Sequence, residues 1–372
     1  MPEDTPTSPR GRRSRRDRKA ADAARQEQDE VPLSLGYVDS LKYCLNRKGA
    51  PVDKVALMGL SGETFRTFYD PSVPERGPYV VAFNPLRAAC SALGYDCTVA
   101  FERSLESALN ALADTLEREG AAIVHGAGEW VVLTPANGAR GKVRVRFPSG
   151  AEAVWSEKEL AEQWQCEPGL LELGLPGHYH FSLGEKTREP NPKDAALGAI
   201  RRGIRMLTRK TRVEGCVPGV DAYQEIAITL TRKRKHDAQK ALDLNRYASW
   251  NAFPLAYVRS TRVAAAAYLE SIRPLFEESE AREHLDKAAA KYREIAKTLD
   301  SLPPLPRRIP HVDLTEGGPS VSRTPETRQA VKGYMRMRRG AARQMRRLHK
   351  LELEGVDELR KVIETVEREK QQ

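Results

Sequence analysis

An α+β protein is predicted, with a mixed first half and an all-helical second half. Three observations predict it. Short strand-like and helical apolar patterns share the first half without a βαβ repeat. After Pro190 and Pro192 only helical spacing continues. No run approaches the roughly 18 apolar residues of a membrane span, and mean hydropathy is −0.57. A length of 372 residues suggests about two domains. The expected division is a disordered basic tail at 1–32, an α+β domain at 33–185 and a helical domain at 190–372.

The tail is assigned first. Residues 1–31 contain no aromatic residue and are rich in Arg, Asp, Glu, Pro, Ser and Ala. Such a segment buries too little apolar area to offset the entropy of ordering it. Order is expected near Leu33. Val38, Leu41 and Leu45 have helical spacing, and Gly49-Ala50-Pro51 ends that helix. Asp53 caps a short helix through Met58. In "FNPLRAACSALG", Asn84 is the N-cap, Pro85 the first helical residue and Gly94 the stop.

"DCTVAF" follows as a strand. Ser104 opens a helix with Leu105, Leu109, Leu112 and Leu116 on one face and Gly120 at its end. "AAIV" and "EWVVLT" are strands around the glycine-rich "HGAG", "KVRVRF" alternates with period two, and "PSG" turns into "AEAVW". Ser156 and Glu159 make a capping box before a helix carrying Trp164. Helices are expected at 194–211, 220–245, 247–273 and 277–300, with "LPPLPRRIP" breaking the pattern before a long last helix at 325–370. There Met345, Leu348, Leu351 or Glu352, Val356, Leu359, Ile363 and Val366 step by threes and fours. That stripe is expected to pack on the chain's own helices and not to form a dimer seam.

The net charge of +10 is unevenly placed. Arg10 to Lys19 carries +6 and Lys332 to Lys350 carries +8, so the remainder is slightly acidic. A surface that tracks phosphates needs its cations on the docking face, so nucleic acid is expected only through these basic segments. Five cysteines without a CxxC suit a reducing compartment. The arginine-rich start lacks an apolar h-region, and a cytoplasmic location is expected.

Candidate chemistry is sparse. "MGLSGETF" places Gly62 directly after Ser61, one residue too early for a nucleophile elbow, and fits a glycine-capped helix end. The same glycines are too few for a phosphate loop, and no cofactor is expected. His178 and His180 would share one face of a strand, but no further ligand has the right spacing, so no metal is expected and a polar strand at a surface or subunit edge is the alternative. His125 is a site histidine or a satisfied turn residue. Glu129 is a site carboxylate or an exposed strand entrance. Cys44 lies on the apolar face with Tyr37 and Leu41, where thiols are usually inert.

The series "YVDSL", "ALMGLSGETFR", "NPLRAACSALGYD" and the strand ending "EWVVL" resembles the N-terminal domain of the butirosin biosynthesis protein H family. "GVDAYQEIA" and "YVRSTRVAAAAYL" are similar to that family's helical part. The resemblance implies a papain-like, cysteine-peptidase-type fold followed by an all-helical domain. It also implies descent from an acyltransferase that moves an amino acyl group from a carrier protein to an aminoglycoside. Carried over singly, the catalytic positions fall on Gly36 for the nucleophilic Cys, Glu129 for the base His and Phe147 for the orienting Asp. All three triad residues are thus replaced, and without the thiolate and its base that route has no activated nucleophile. The expected function is therefore a protein of natural-product assembly whose degenerate cleft binds a ligand or partner. A small molecule or an acyl carrier protein is the expected partner, met through Tyr37, Asn84, Glu129 and Trp130. The alternatives are an active acyltransferase using Cys44 with His125, and a nucleic-acid or acidic-partner binder acting through its basic ends.

Overall fold

The computed structural model describes residues 36–72, 85–136, 141–164, 177–213, 215–231, 253–302, 312–315, 318–321 and 325–371. The tail at 1–32, Asn84, Cys166, the second half of the helix expected at 220–245 and "LPPLPRRIP" beyond its first residue, Leu302, lie outside them.

The helical starts follow their local signals. Helix α1 runs Tyr37–Arg47, and Asp53 caps α2 (Lys54–Ser61) by accepting from the amides of Val55 and Ala56. Gly62 ends α2 at φ +86, a left-handed conformation that favours glycine, as expected for "MGLSG". A 3-10 turn at Glu63–Phe65 leads to the short strand β1 (Phe68–Tyr69). Helix α3 (Pro85–Leu93) turns at Gly94 into β2 (Tyr95–Glu102), and Ser104 caps α4 (Leu105–Glu119). Strands β3 (Ala122–Gly126), β4 (Glu129–Pro135), β5 (Lys142–Arg146) and β6 (Glu152–Ser156) follow as a meander. Ser156 and Glu159 form the expected capping box of α5 (Glu157–Gln163), and β7 spans His178–Lys186.

Six strands make one antiparallel sheet in the order β2-β7-β3-β4-β5-β6. Strand β7 is interior: Phe181 pairs with Val99 on one side and with Ile123 on the other. The expectation of an edge or surface strand around His178 and His180 is thereby corrected. His180 is 2% exposed and its Nε2 lies 2.9 Å from the Thr115 hydroxyl on α4. The sheet has two apolar faces. Ile123, Trp130, Val132 and Phe181 face α1 and the helical half. Val124, Val131, Leu133 and Val145 lie under Leu112 and Leu116 of α4 and Leu160 of α5. Each such fully buried aliphatic side chain stabilises the fold by about 1.5–3 kcal/mol.

The second half contributes α6 (Pro192–Leu207), capped by Asn191, then β8 (Val217–Pro218), which pairs with β1, and α7 (Val220–Thr231). Helices α8 (Phe253–Ile272) and α9 (Ser279–Asp300), a hairpin of β9 (Val312–Thr315) and β10 (Gly318–Val321), and α10 (Pro325–Glu369) complete it. Met345, Leu348, Val356, Leu359, Val362 and Val366 of α10 are buried, and the helix packs on α7 and α9 of its own chain. Gly355 faces the Tyr292 ring of α9, where a Cβ would stand 3.4 Å from it in van der Waals contact. Polar contacts flank the seam, including the ion pair Arg347–Glu294 at 2.8 Å and a hydrogen bond between His284 and Glu358 at 2.7 Å. Ser34–Gln372 forms one compact unit, and a single apolar cluster joins the α1 face of the sheet to the helical half. Among the described residues no helix is long and apolar enough to cross a membrane.

Candidate functional site

Three segments converge at the start of α1. Gly36 is the N-cap residue, and its carbonyl accepts from the Ser40 amide at 2.9 Å. A Cβ on Gly36 would lie 2.4 Å from Pro148 Cγ and 3.4 Å from the Trp130 carbonyl oxygen. Space, not backbone conformation, therefore demands glycine here. The Ser40 hydroxyl donates to that same Trp130 carbonyl at 3.0 Å and fastens α1 to β4. A helix start, the first turn of β4 and the residue after Phe147 thus meet at one point.

Strand alternation decides which side chains face it. Trp130 and Val132 lie on the α1 side, whereas Val131 and Leu133 lie on the α4 side. Glu129 alternates to the α4 side and is exposed. Phe147 likewise packs edge-on against Trp155, with ring centroids 6.1 Å apart. Glu129 and Phe147 therefore sit one residue out of register with the point where Gly36 lies, and one residue in a strand reverses the face. What Gly36 meets is the Trp130 backbone and the Pro148 ring, neither of which transfers protons at neutral pH.

The Trp130 ring fills the space beside α1. It makes edge or tilted contacts with Tyr37 at 6.0 Å, His125 at 5.4 Å and Phe181 at 5.7 Å. Tyr37, His125 and Trp130 are thus brought together as an aromatic group. Next to it a cavity of about 170 Å³ opens between α1 and β5, lined by Asp39, Ser40, Tyr43, Asn46, Arg146 and Pro148. Two of its charges pair with residues beside it, Asp39 with Lys54 at 2.9 Å and Arg146 with Glu152 at 2.8 Å, while the Arg146 guanidinium stacks 4.7 Å above Tyr43; Lys42 also lines it.

Cys44 is 4% exposed on the inner face of α1. Burial pushes its thiol up to about 12, an effect Arg47 only partly opposes, so almost no thiolate exists at neutral pH. His125 is engaged with Trp130 and does not contribute to the shift of Cys44. On the opposite face of the sheet, burial with the help of Arg118 lowers His180 to about 4, so it is neutral at pH 7. His178 and His180 flank the Trp164 ring at 5.3 and 6.2 Å. Among the described residues no group of three or more His, Cys, Asp or Glu side chains is placed to hold a metal.

Sequence reasoning missed a buried ionic cluster directly below Tyr37. The Tyr257 hydroxyl donates to Glu63 Oε1 at 3.0 Å and accepts from Arg66 Nε at 3.1 Å. Beside this group, Arg262 Nε donates to Glu352 Oε2 at 3.0 Å, and the Tyr223 hydroxyl donates to the same oxygen at 3.0 Å. Arg262 also donates to the Thr64 carbonyl at 2.9 Å and to the Thr67 hydroxyl. All four charged groups are at most 1% exposed. Burial opposes the charge on Arg262, but Glu352 with Tyr223 and Tyr292 outweighs it and holds the guanidinium above its ordinary range. Burial and then the Glu63 carboxylate likewise raise the Tyr37 hydroxyl well above its usual value. Two cations balance two anions, so the cluster joins the 63–67 segment to α8 and α10 and offers a ligand no open charge. In the sequence these residues look like ordinary polar positions on helices, and no local signal marks them as buried.

A sterically required glycine at the start of α1, an aromatic group around Trp130 and a charge-balanced buried ionic cluster make up this region; the chain matches no protein-family model and no curated protein.

Proposed function

We propose that this protein is a catalytically silent relative of the butirosin biosynthesis protein H acyltransferases, and that it serves natural-product assembly by binding. On this reading a papain-like cleft once used for acyl transfer now receives a small-molecule ligand or a carrier protein without forming an acyl-enzyme. The observation that carries the reading is the position of Gly36. It caps the helix at the place where the resemblance puts the nucleophile, with Pro148 occupying the volume a cysteine side chain would need. The buried, fully protonated Cys44 supports it further, because acyl transfer needs a thiolate and a base beside it.

The test is incubation of the full chain with an aminoacyl thioester, followed by intact-mass and peptide mapping. No stable adduct on Cys44 is expected, and Cys44→Ala should leave any biological activity unchanged. A stoichiometric acyl adduct on Cys44 overturns the reading in favour of an active acyltransferase working through Cys44 and His125.

A second reading, binding of nucleic acid through α10, is favoured by one observation. Lys332, Arg336, Arg339, Arg343, Arg346 and Lys350 follow one another at steps of four and three and are all exposed. They form a single line of cations about 27 Å long. Binding by this line would weaken steeply with salt, and neutralising two of the arginines should reduce the logarithmic salt slope by about two. Unchanged binding after Arg339→Gln and Arg343→Gln excludes α10 as the interface.

A further inference from the structure

A cavity of about 750 Å³ opens between α3 and α6. Its charge is unusual. Arg87, Arg188, Arg202, Arg205 and Arg209 line it against only two carboxylates, Glu189 and Asp194. Both carboxylates are already paired with lysines outside the cavity wall, Glu189 with Lys186 at 2.5 Å and Asp194 with Lys370 at 3.6 Å.

Arg188 and Arg202 are held by neutral groups. Arg202 Nη2 donates to the Leu60 carbonyl at 2.7 Å, and its buried Nε has no hydrogen-bond partner. Arg188 Nη2 donates to the Ser91 carbonyl at 2.8 Å. Arg205 makes no ion pair among the described residues. Burial, reinforced by Arg205 against an opposing Tyr268, holds the Arg202 guanidinium below its ordinary range, as expected of a cation short of a counter-ion. Gly198, Arg202 and Arg205 follow at steps of four and three, so α6 presents them on one side, and Arg209 lies two residues past the helix end. Apart from Ser91 and Asn191 the remaining wall is apolar, with Ala92, Ala195 and Met206.

We propose that this cavity binds a small organic polyanion, a phosphate ester or a polycarboxylate, whose charged groups meet Arg202 and Arg205 while its body lies on the apolar wall. Guanidinium groups suit both anion types because their planar forks match carboxylate and phosphate oxygens. A volume of this size falls within the range of small-molecule sites. The site stands independently of the cleft at Gly36.

The experiment is isothermal titration calorimetry of the full chain at fixed ionic strength, with inorganic pyrophosphate and citrate as probes. One saturable site is expected. Arg205→Gln should weaken binding at least tenfold, and Gly198→Phe should abolish it. A Cβ at Gly198 meets nothing within 4 Å, so the new ring enters the cavity without displacing its surroundings. Tighter binding of pyrophosphate assigns a phosphate ester, and tighter binding of citrate assigns a polycarboxylate. Absence of saturable binding by both probes overturns the proposal. So does wild-type affinity in Arg205→Gln, which would place the anion on the basic segments elsewhere in the chain.

Discussion

Replacing Glu352 by Gln should destabilise the protein more than any surface substitution. The change keeps an acceptor oxygen for Tyr223 and Arg262, both 3.0 Å from the present carboxylate, and removes only the charge. Arg262, at 0% exposure, then carries a buried positive charge with no anion against it. Breaking a buried ion pair in this way costs about 3–5 kcal/mol. For a cooperative unit of about 340 residues the unfolding entropy near 60 °C is about 0.7 kcal/mol/K, so the expected fall in Tm is about 4–7 °C. Circular-dichroism melts and urea titrations of wild type and Glu352→Gln measure it. The paired change Arg262→Met with Glu352→Leu removes both charges and their desolvation penalty together, but it strips the Tyr223 hydroxyl, the Thr64 carbonyl and the Thr67 hydroxyl of these partners, so only part of the loss should return. A loss below about 1 kcal/mol in the single variant would refute the argument that burial makes this pair costly to split.

Three further outcomes are expected. Gly36→Cys should cost about 1–3 kcal/mol by overpacking against Pro148, lower Tm and gain no thioester reactivity; an unchanged melt or rapid acylation contradicts the account of the helix start. His180 has a folded value of about 4 against an ordinary 6.5, so the unfolded chain binds the extra proton between those pH values. Stability should be complete above pH 6.5 and fall by about 3 kcal/mol as pH drops to 4, and urea titrations of His180→Asn should lose that dependence. The Cys97 thiol is lowered by its hydrogen bond with Cys90, whereas Cys44 is raised by burial. Alkylation of the native protein should therefore reach Cys97 well before Cys44, a ranking that peptide mapping after a short iodoacetamide pulse would reverse if Cys44 were activated.

What the sequence determined by itself is local. Asp53, Ser104 and the Ser156-Glu159 box start helices because a side-chain oxygen satisfies amides two or three residues away. Gly62, Gly94 and Gly120 end helices at positive φ, which glycine adopts without steric cost. The apolar stripe of α10 was legible because its period is that of a helix with one buried face. The mixed α+β order with a helical second half followed from the same periodicities. Only the tertiary structure decided the rest. Strand β7 enters between β2 and β3, and this long-range pairing turned a histidine strand expected at an edge into an interior one. The face on which Glu129 and Phe147 lie depends on register, and a one-residue difference that is invisible in the letters reverses it. Arg262 and Glu352, ninety residues apart, acquire meaning only when α8 and α10 pack, because nothing in a charged residue's near neighbours tells whether its partner will be water or another side chain.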